Sequence, residues 1–248
     1  MATPSPKSHN LSRDFFVLLP PSEGKALGGE TSPWAPDQGI FGPMIEPARL
    51  EIIAALGQVH GGTATMLGVK GPHLDRAQSA NLSLIGAPTL PAWQRYTGVV
   101  WDHLQPASLT PSQRSRILIS SGLGGIFAAT DPVPDYRLKM GASVPGVGSV
   151  ARFWREHLEE TLTEIAARGT IVDLLAQEQR KALPPDISVL EVTLRTRAGA
   201  LGGHAAKAAK GLLAQYLLTL PAKQTRSRLH EALMAWDHPD FCVEIITR

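Results

Sequence analysis

Cysteine is nearly absent, since the 248 residues hold one, Cys242. A lone thiol closes no internal disulfide, so the fold is expected to stand on its core in a reducing compartment. Cys242 lies in the apolar run Phe241-Cys242-Val243 and reads as a buried strand residue. The histidines, carboxylates and this thiol show no zinc-ligand spacing, so no metal is expected, and no motif asks for an organic cofactor. Long hydrophobic runs are also missing, and none nears the ~20 residues of a membrane helix. The first thirteen residues, through Arg13, lack the apolar segment of a leader and read as a disordered tail. The expected setting is therefore the cytoplasm, with no membrane partner. Net charge is scarce as well: 24 Lys and Arg against 22 Asp and Glu leave +2. A sum that small implies no polyanionic partner, so the distribution of charge must decide.

That distribution is uneven. Between Arg195 and His230 there are seven Lys or Arg and no carboxylate, while Glu156, Glu159, Glu160 and Glu164 crowd one earlier segment. Hydrophobic residues make up 43% and charged residues 19%, which places the chain among globular proteins rather than disordered ones. At this length one large domain is expected, here residues 14–248.

Periodicity gives the elements. Phe15 to Leu19, Arg116 to Ser120, Thr170 to Leu175, Ile187 to Leu194 and Phe241 to Ile246 read as strands. Helical spacing marks Glu46 to Leu56, Ser149 to Arg168, Ala205 to Leu220 and Arg226 to Trp236. Residues 60–90 carry no clear pattern, and Trp93 to Leu104 fits helix or extended chain. Interspersed strands and helices predict an α/β (mixed α+β) domain with a mixed sheet and surrounding helices.

Five segments carry possible chemistry. Val144-Pro145-Gly146-Val147-Gly148-Ser149-Val150-Ala151 has the apolar-Gly-apolar-Gly core of a helix-hairpin-helix turn. Gly146 and Gly148 permit close backbone approach, the next helix offers free N–H groups to a phosphate, and Arg152 and Arg155 add charge. The stretch before it, with Pro134 and Gly141, is a poor first helix. Lys207 and Lys210 are three apart on a predicted helix, opposite its leucines, and suit phosphate as point charges or simply face water. Ser22, Glu23 and Lys25 follow the first strand, where open α/β sheets place ligands; they form either an acid/base or nucleophile group or a polar turn. Ser121-Gly122-Leu123-Gly124-Gly125 fits no dinucleotide fingerprint and is either a phosphate cradle or a tight strand-to-helix turn. Asp131 to Gly141 is stiffened by two prolines and, if extended, sets Arg137 and Lys139 on one side as a cationic prong.

In this order the segments resemble the YaaA family, also grouped as DUF328 or UPF0246. The resemblance rests on Leu18 to Lys25, Tyr96-Thr97-Gly98-Val99, Ser121-Gly122-Leu123, Asp135 to Gly141, Phe153-Trp154, Val172 to Leu175 and Lys207-Ala208-Ala209-Lys210-Gly211. It implies a role in protection against peroxide stress and a DNA-binding protein with an α/β fold, a basic cleft and a helix-hairpin-helix element. Carried onto this chain, the hairpin glycines are Gly146 and Gly148, and the basic positions are Arg137, Lys139, Lys207 and Lys210. Two departures stand out: Pro21-Ser22-Glu23-Gly24-Lys25 replaces the Ser-Pro-Ala-Lys of many relatives, and Ala205-Ala206 replaces an aromatic and a polar residue.

Two functional readings follow. One is a DNA-binding stress protein that grips the backbone of double-stranded or distorted duplex largely without sequence preference. The other is an enzyme on a nucleotide or other phosphorylated or anionic small molecule, using Ser22, Glu23 and Lys25 with Arg137 and Lys139. A third reading assigns the glycines and lysines to folding and solubility alone.

Overall fold

The computed structural model describes residues 13–29, 32–197 and 203–247. The expected tail lies outside these, apart from Arg13, which opens the first strand. In chain order the elements are β1 (Arg13–Leu19), α1 (Gly42–Gln58), α2 (Ala64–Leu67), α3 (Pro72–Leu82), β2 (Thr89–Pro91), α4 (Ala92–Arg95), α5 (Val99–Leu104), α6 (Pro111–Arg114), β3 (Ile117–Ser121), β4 (Gly125–Ala128) and β5 (Pro132–Pro134). There follow β6 (Ser143–Val144), β7 (Gly148–Ser149), α7 (Val150–His157), α8 (Glu159–Arg168), β8 (Gly169–Asp173), α9 (Gln177–Arg180), β9 (Val189–Thr196), α10 (Gly203–Thr219), β10 (Lys223–Gln224), α11 (Arg226–Ala235) and β11 (Phe241–Thr247).

The main sheet has seven strands and is mixed, in the order β11-β9-β8-β1-β3-β4, with β10 pairing off β1. β1 lies parallel to both β3 and β8, and β8 lies parallel to β9; β4 and β11 close the sides antiparallel. Strands parallel on both sides are covered on both faces, so they read as unbroken apolar runs. Phe15, Val17, Leu18 and Leu19 of β1 are buried, as is every residue of β3. α8 packs against β1 and β8, and α10 packs against β1, β9 and α5. The chain leaves β1 toward β3 and later returns to β8 on the other side. The carboxyl ends of β1 and β8 therefore flank a topological switch point, where sheets of this class hold ligands.

The expected strands and long helices form, three local expectations change, and two segments left open are settled. The single helix from Ser149 to Arg168 is interrupted at Leu158 (φ −101°, ψ 0°). His157 Nδ1–H donates to the Phe153 carbonyl at 2.8 Å near the end of α7, Glu159 and Glu160 suit the dipole at the start of α8, and Trp154, Leu158 and Leu162 all stay buried. The Ser121 to Gly125 turn leads to β4 and not to a helix, because Gly125 at φ +68° folds the chain straight back along β3. Residues 60–90 hold α2, α3 and the start of β2, and Trp93 to Leu104 is two short helices joined by extended chain. Cys242 is half-buried on β11, at the sheet margin, and not buried.

Candidate functional site

The segment after β1 is fastened before it offers any chemistry. Ser22 Oγ accepts from the Thr97 N–H at 3.0 Å and donates to the Gly24 carbonyl, so its hydroxyl locks the turn. The Thr97 N–H also reaches the Gly24 carbonyl at 3.2 Å, and the Ala26 N–H donates to the Arg95 carbonyl at 2.8 Å, which pairs Lys25 with Tyr96 as a bridge. The buried Arg95 side chain donates to the carbonyls of Ala26, Gly28, Pro88 and Val133, stapling the same segment to β2 and β5. A loop tied at this many points is rigid and holds Lys25 in one place.

The ammonium end of Lys25 is enclosed. Nζ donates to the Ser22 carbonyl at 3.0 Å and lies 4.2 Å from the centre of the Tyr136 ring and 5.5 Å from that of Tyr96. Below it a chain of hydroxyls links three elements. Tyr96 Oη and Tyr136 Oη are 2.9 Å apart, Tyr136 Oη and Ser121 Oγ are 2.8 Å apart, and Ser121 Oγ accepts from the Gly124 N–H. Burial, then the charge of Arg137, lowers the Lys25 pKa to about 7 against the pull of Asp135. Burial also pushes both phenols up, so they stay protonated.

This lysine faces a cavity of about 150 Å³, lined also by Glu23, Tyr136, Arg137, Lys139, Glu178 and Gln179. The cavity thus joins the segments after β1 and β8 at the switch point with the 136–139 segment. That segment is seated by the glycine turn, since a Cβ on Gly122 would come within 2.5 Å of the Leu138 carbonyl oxygen. The buried Asn81 amide holds it from the other side, accepting from the Arg137 N–H and donating to the Arg137 carbonyl, each at 2.8 Å. Arg137 pairs with Asp135, and Lys139 pairs with Glu23 at 2.9 Å. The Lys139 hydrogen bond holds the Glu23 carboxyl below the usual range against the effect of burial, with help from the charges of Lys139, Lys207 and Lys25.

α9 separates this cavity from a larger, open groove of about 790 Å³. Glu178 and Gln179 face the cavity, while Gln177, Arg180 and Lys181 face the groove. The post between them is Arg180, which donates to the buried Asp173 at 2.6 Å and to Glu191 at 2.7 Å. The groove is also lined by Arg155, Arg195 and Lys210. Arg195 pairs with Glu244 of β11 at 2.5 Å, so the segment that is acid-free in sequence is not acid-free in space. Among the described residues no ion pair is formed by Arg155, Lys181 or Lys210. Burial lowers the Lys210 pKa to about 8, with Asp173 raising it and Arg180 lowering it.

The candidate residues named from sequence thus fall in three places. Ser22, Glu23, Lys25, Arg137 and Lys139 meet at the cavity. Lys210 lines the groove, with Lys207 exposed one turn earlier and close enough to act on Glu23. Gly146 (φ +88°) lies in the tip of the β6–β7 hairpin and Gly148 (φ +79°) opens β7, which runs into α7. Residues 135–142 form no helix, so the hairpin has a helix on one side only. At the start of α7 the Ser149 hydroxyl already accepts from the Arg152 N–H, and the Arg152 side chain pairs with Glu156. Arg180, Lys181, Glu178 and Gln179 were not foreseen; only their place just after a predicted strand could have signalled them. Among the described residues no group of three or more His, Cys, Asp or Glu gathers as a metal site, and no helix is long and apolar enough to cross a membrane.

Fold and site together define a mixed α/β protein with a lysine cavity and a cationic groove at the carboxyl ends of its central strands. The profile of the family described as "Peroxide stress protein YaaA" matches residues 15–244, and the chain belongs to that family. A UPF0246 protein of Streptomyces coelicolor is 33% identical over 233 residues, which cover 88% of this chain and 89% of that one. A UPF0246 protein of Corynebacterium efficiens is 34% identical over 217 residues, 85% of this chain and 88% of its own. An uncharacterized protein of Campylobacter jejuni is 28% identical over 207 residues, 79% and 82% of the two chains.

Proposed function

We propose that this chain is a DNA-binding protein of the peroxide stress response that holds the phosphate backbone in the groove beside α9. The observation that carries the reading is the excess of cations there: Arg155, Lys181 and Lys210 have no carboxylate paired to them among the described residues. Lysines contact phosphate without reading bases, so the binding is largely independent of sequence. The groove is open, and Lys207 is exposed on the same helix as Lys210.

The test is fluorescence anisotropy of labelled duplex and bubbled DNA across a salt series. Three neutralised phosphates give a slope of log K against log salt of about −3, and Lys181→Ala reduces its magnitude by about 1. A Gly146→Ala/Gly148→Ala variant weakens binding only if the hairpin also touches DNA. An affinity that ignores salt overturns the proposal.

The smaller Lys25 cavity favours a second reading, in which the same protein acts on an anionic small molecule. DNA needs no half-buried lysine beside a fastened Ser22 turn, and a cavity of about 150 Å³ admits no duplex.

A further inference from the structure

Among the features outside the groove, the Lys25 cavity carries chemistry furthest. The cluster of Glu156, Glu159, Glu160 and Glu164 is an acidic patch with no second feature that points to a ligand. Cys242 stands alone on β11. The Lys25 cavity, in contrast, brings four independent features together. Its lysine is held by the Ser22 carbonyl and two aromatic rings and lines the empty volume. Its size matches a ligand of roughly six heavy atoms, since a cavity of similar volume holds benzene. Its wall includes the side chain of Gln179, whose Oε1 is buried and has no partner among the described residues. Its rim holds Arg137 and Lys139, whose exposed pairing with Glu23 is of the weak, exchangeable kind.

We propose that Lys25 is a nucleophilic amine that condenses with the carbonyl of a small aldehyde or ketone bearing a carboxylate or phosphate. This deepens the small-molecule reading above and rests on it. The nitrogen lone pair attacks the carbonyl carbon, and the oxygen takes up a proton to give a carbinolamine. Loss of water then replaces the C=O bond by a C=N bond, and both amine hydrogens leave with the oxygen. No oxidant or reductant is consumed. Arg137 and Lys139, which line the cavity, receive the anionic group. The step requires the neutral amine. Burial and the Arg137 and Arg95 charges favour that form, against Asp135 and Glu23, with the protonated phenols of Tyr96 and Tyr136 beneath.

The experiment uses the whole chain, glyoxylate as probe and cyanoborohydride as trap, with peptide mapping of every lysine at pH 7. Lys25 is expected to be labelled about tenfold or more faster than exposed Lys181 and Lys207, because an ordinary lysine is almost wholly protonated there. Inorganic phosphate slows labelling at Lys25 and leaves the exposed lysines unchanged. Labelling of Lys25 no faster than the exposed lysines overturns the proposal. Calorimetry without reductant separates the two levels. Glyoxylate binding without a Lys25 adduct overturns the amine chemistry and leaves the anion cavity standing, and neither binding nor adduct overturns both.

Discussion

On the cavity side of α9 each cation at the rim faces a carboxylate, Arg137 with Asp135 and Lys139 with Glu23. On the groove side Arg155, Lys181 and Lys210 form no ion pair among the described residues, although Glu191 and Glu244 line the same surface and are paired to Arg180 and Arg195. Pairing brings the charge of this small space close to neutral, which suits one compact ligand. Unpaired cations over an open surface leave a field that acts on any polyanion, with little demand on its geometry. Two charge arrangements thus share one wall of four residues.

That wall is the first thing to break. Arg180 is 10% exposed and bonds two carboxylates that are 0% and 6% exposed, so Arg180→Met leaves buried like charges facing each other. A loss of about 3–5 kcal/mol is expected in urea unfolding. A loss well under that range would show that α9 is held by other contacts.

The next effect belongs to the cavity alone. The folded-state pKa of Lys25 is lowered from 10.5 to about 7, so between these values the unfolded chain holds a proton that the folded chain has released. Stability from this group therefore rises with pH across that window, and its penalty is present in full below it. Lys25→Met is expected to flatten the rise between pH 7 and 10 and to raise stability at pH 6, with DNA affinity unchanged. Unfolding midpoints across pH check this, and an unchanged slope would mean that the amine stays charged.

The smallest effect belongs to the groove. Lys210 titrates at about 8, so its charge fades as pH rises through that value. Affinity for duplex is expected to fall about threefold more between pH 7 and 9 in the natural chain than in Lys210→Ala, the size of one phosphate contact. Equal losses would place Lys210 outside the contact surface.

Much of this was legible in the sequence, and the reasons are physical. Parallel strands buried on both faces write themselves as apolar runs, so β1, β3, β8 and β9 were visible, and the leucines of α10 gave its buried side. Ser22, Glu23 and Lys25 were visible as a group because a strand end is a rule of topology. The companions of Lys25 were not, because Tyr96, Ser121, Tyr136 and Gln179 come from four separate segments joined only by the fold. The basic run from Arg195 misled for the same reason, since its counter-charges Asp237 and Glu244 arrive from the last turn and strand. The break at Leu158 had no glycine or proline to announce it. The hairpin glycines fitted a two-helix motif in spacing, while the preceding Pro134 and Gly141 kept the first helix from forming.

The order β8-β1-β3 has a consequence for biosynthesis. β1 leaves the ribosome first, yet its parallel partners begin at residues 117 and 169. At ordinary translation rates that leaves about 10–30 s in which the apolar run of β1 has been made and lacks a parallel neighbour on one side. The sheet is dominated by distant pairings of the kind that fold slowly. The nascent chain therefore carries Phe15 to Leu19 without its parallel partners until residues 117–121 and 169–173 have been made.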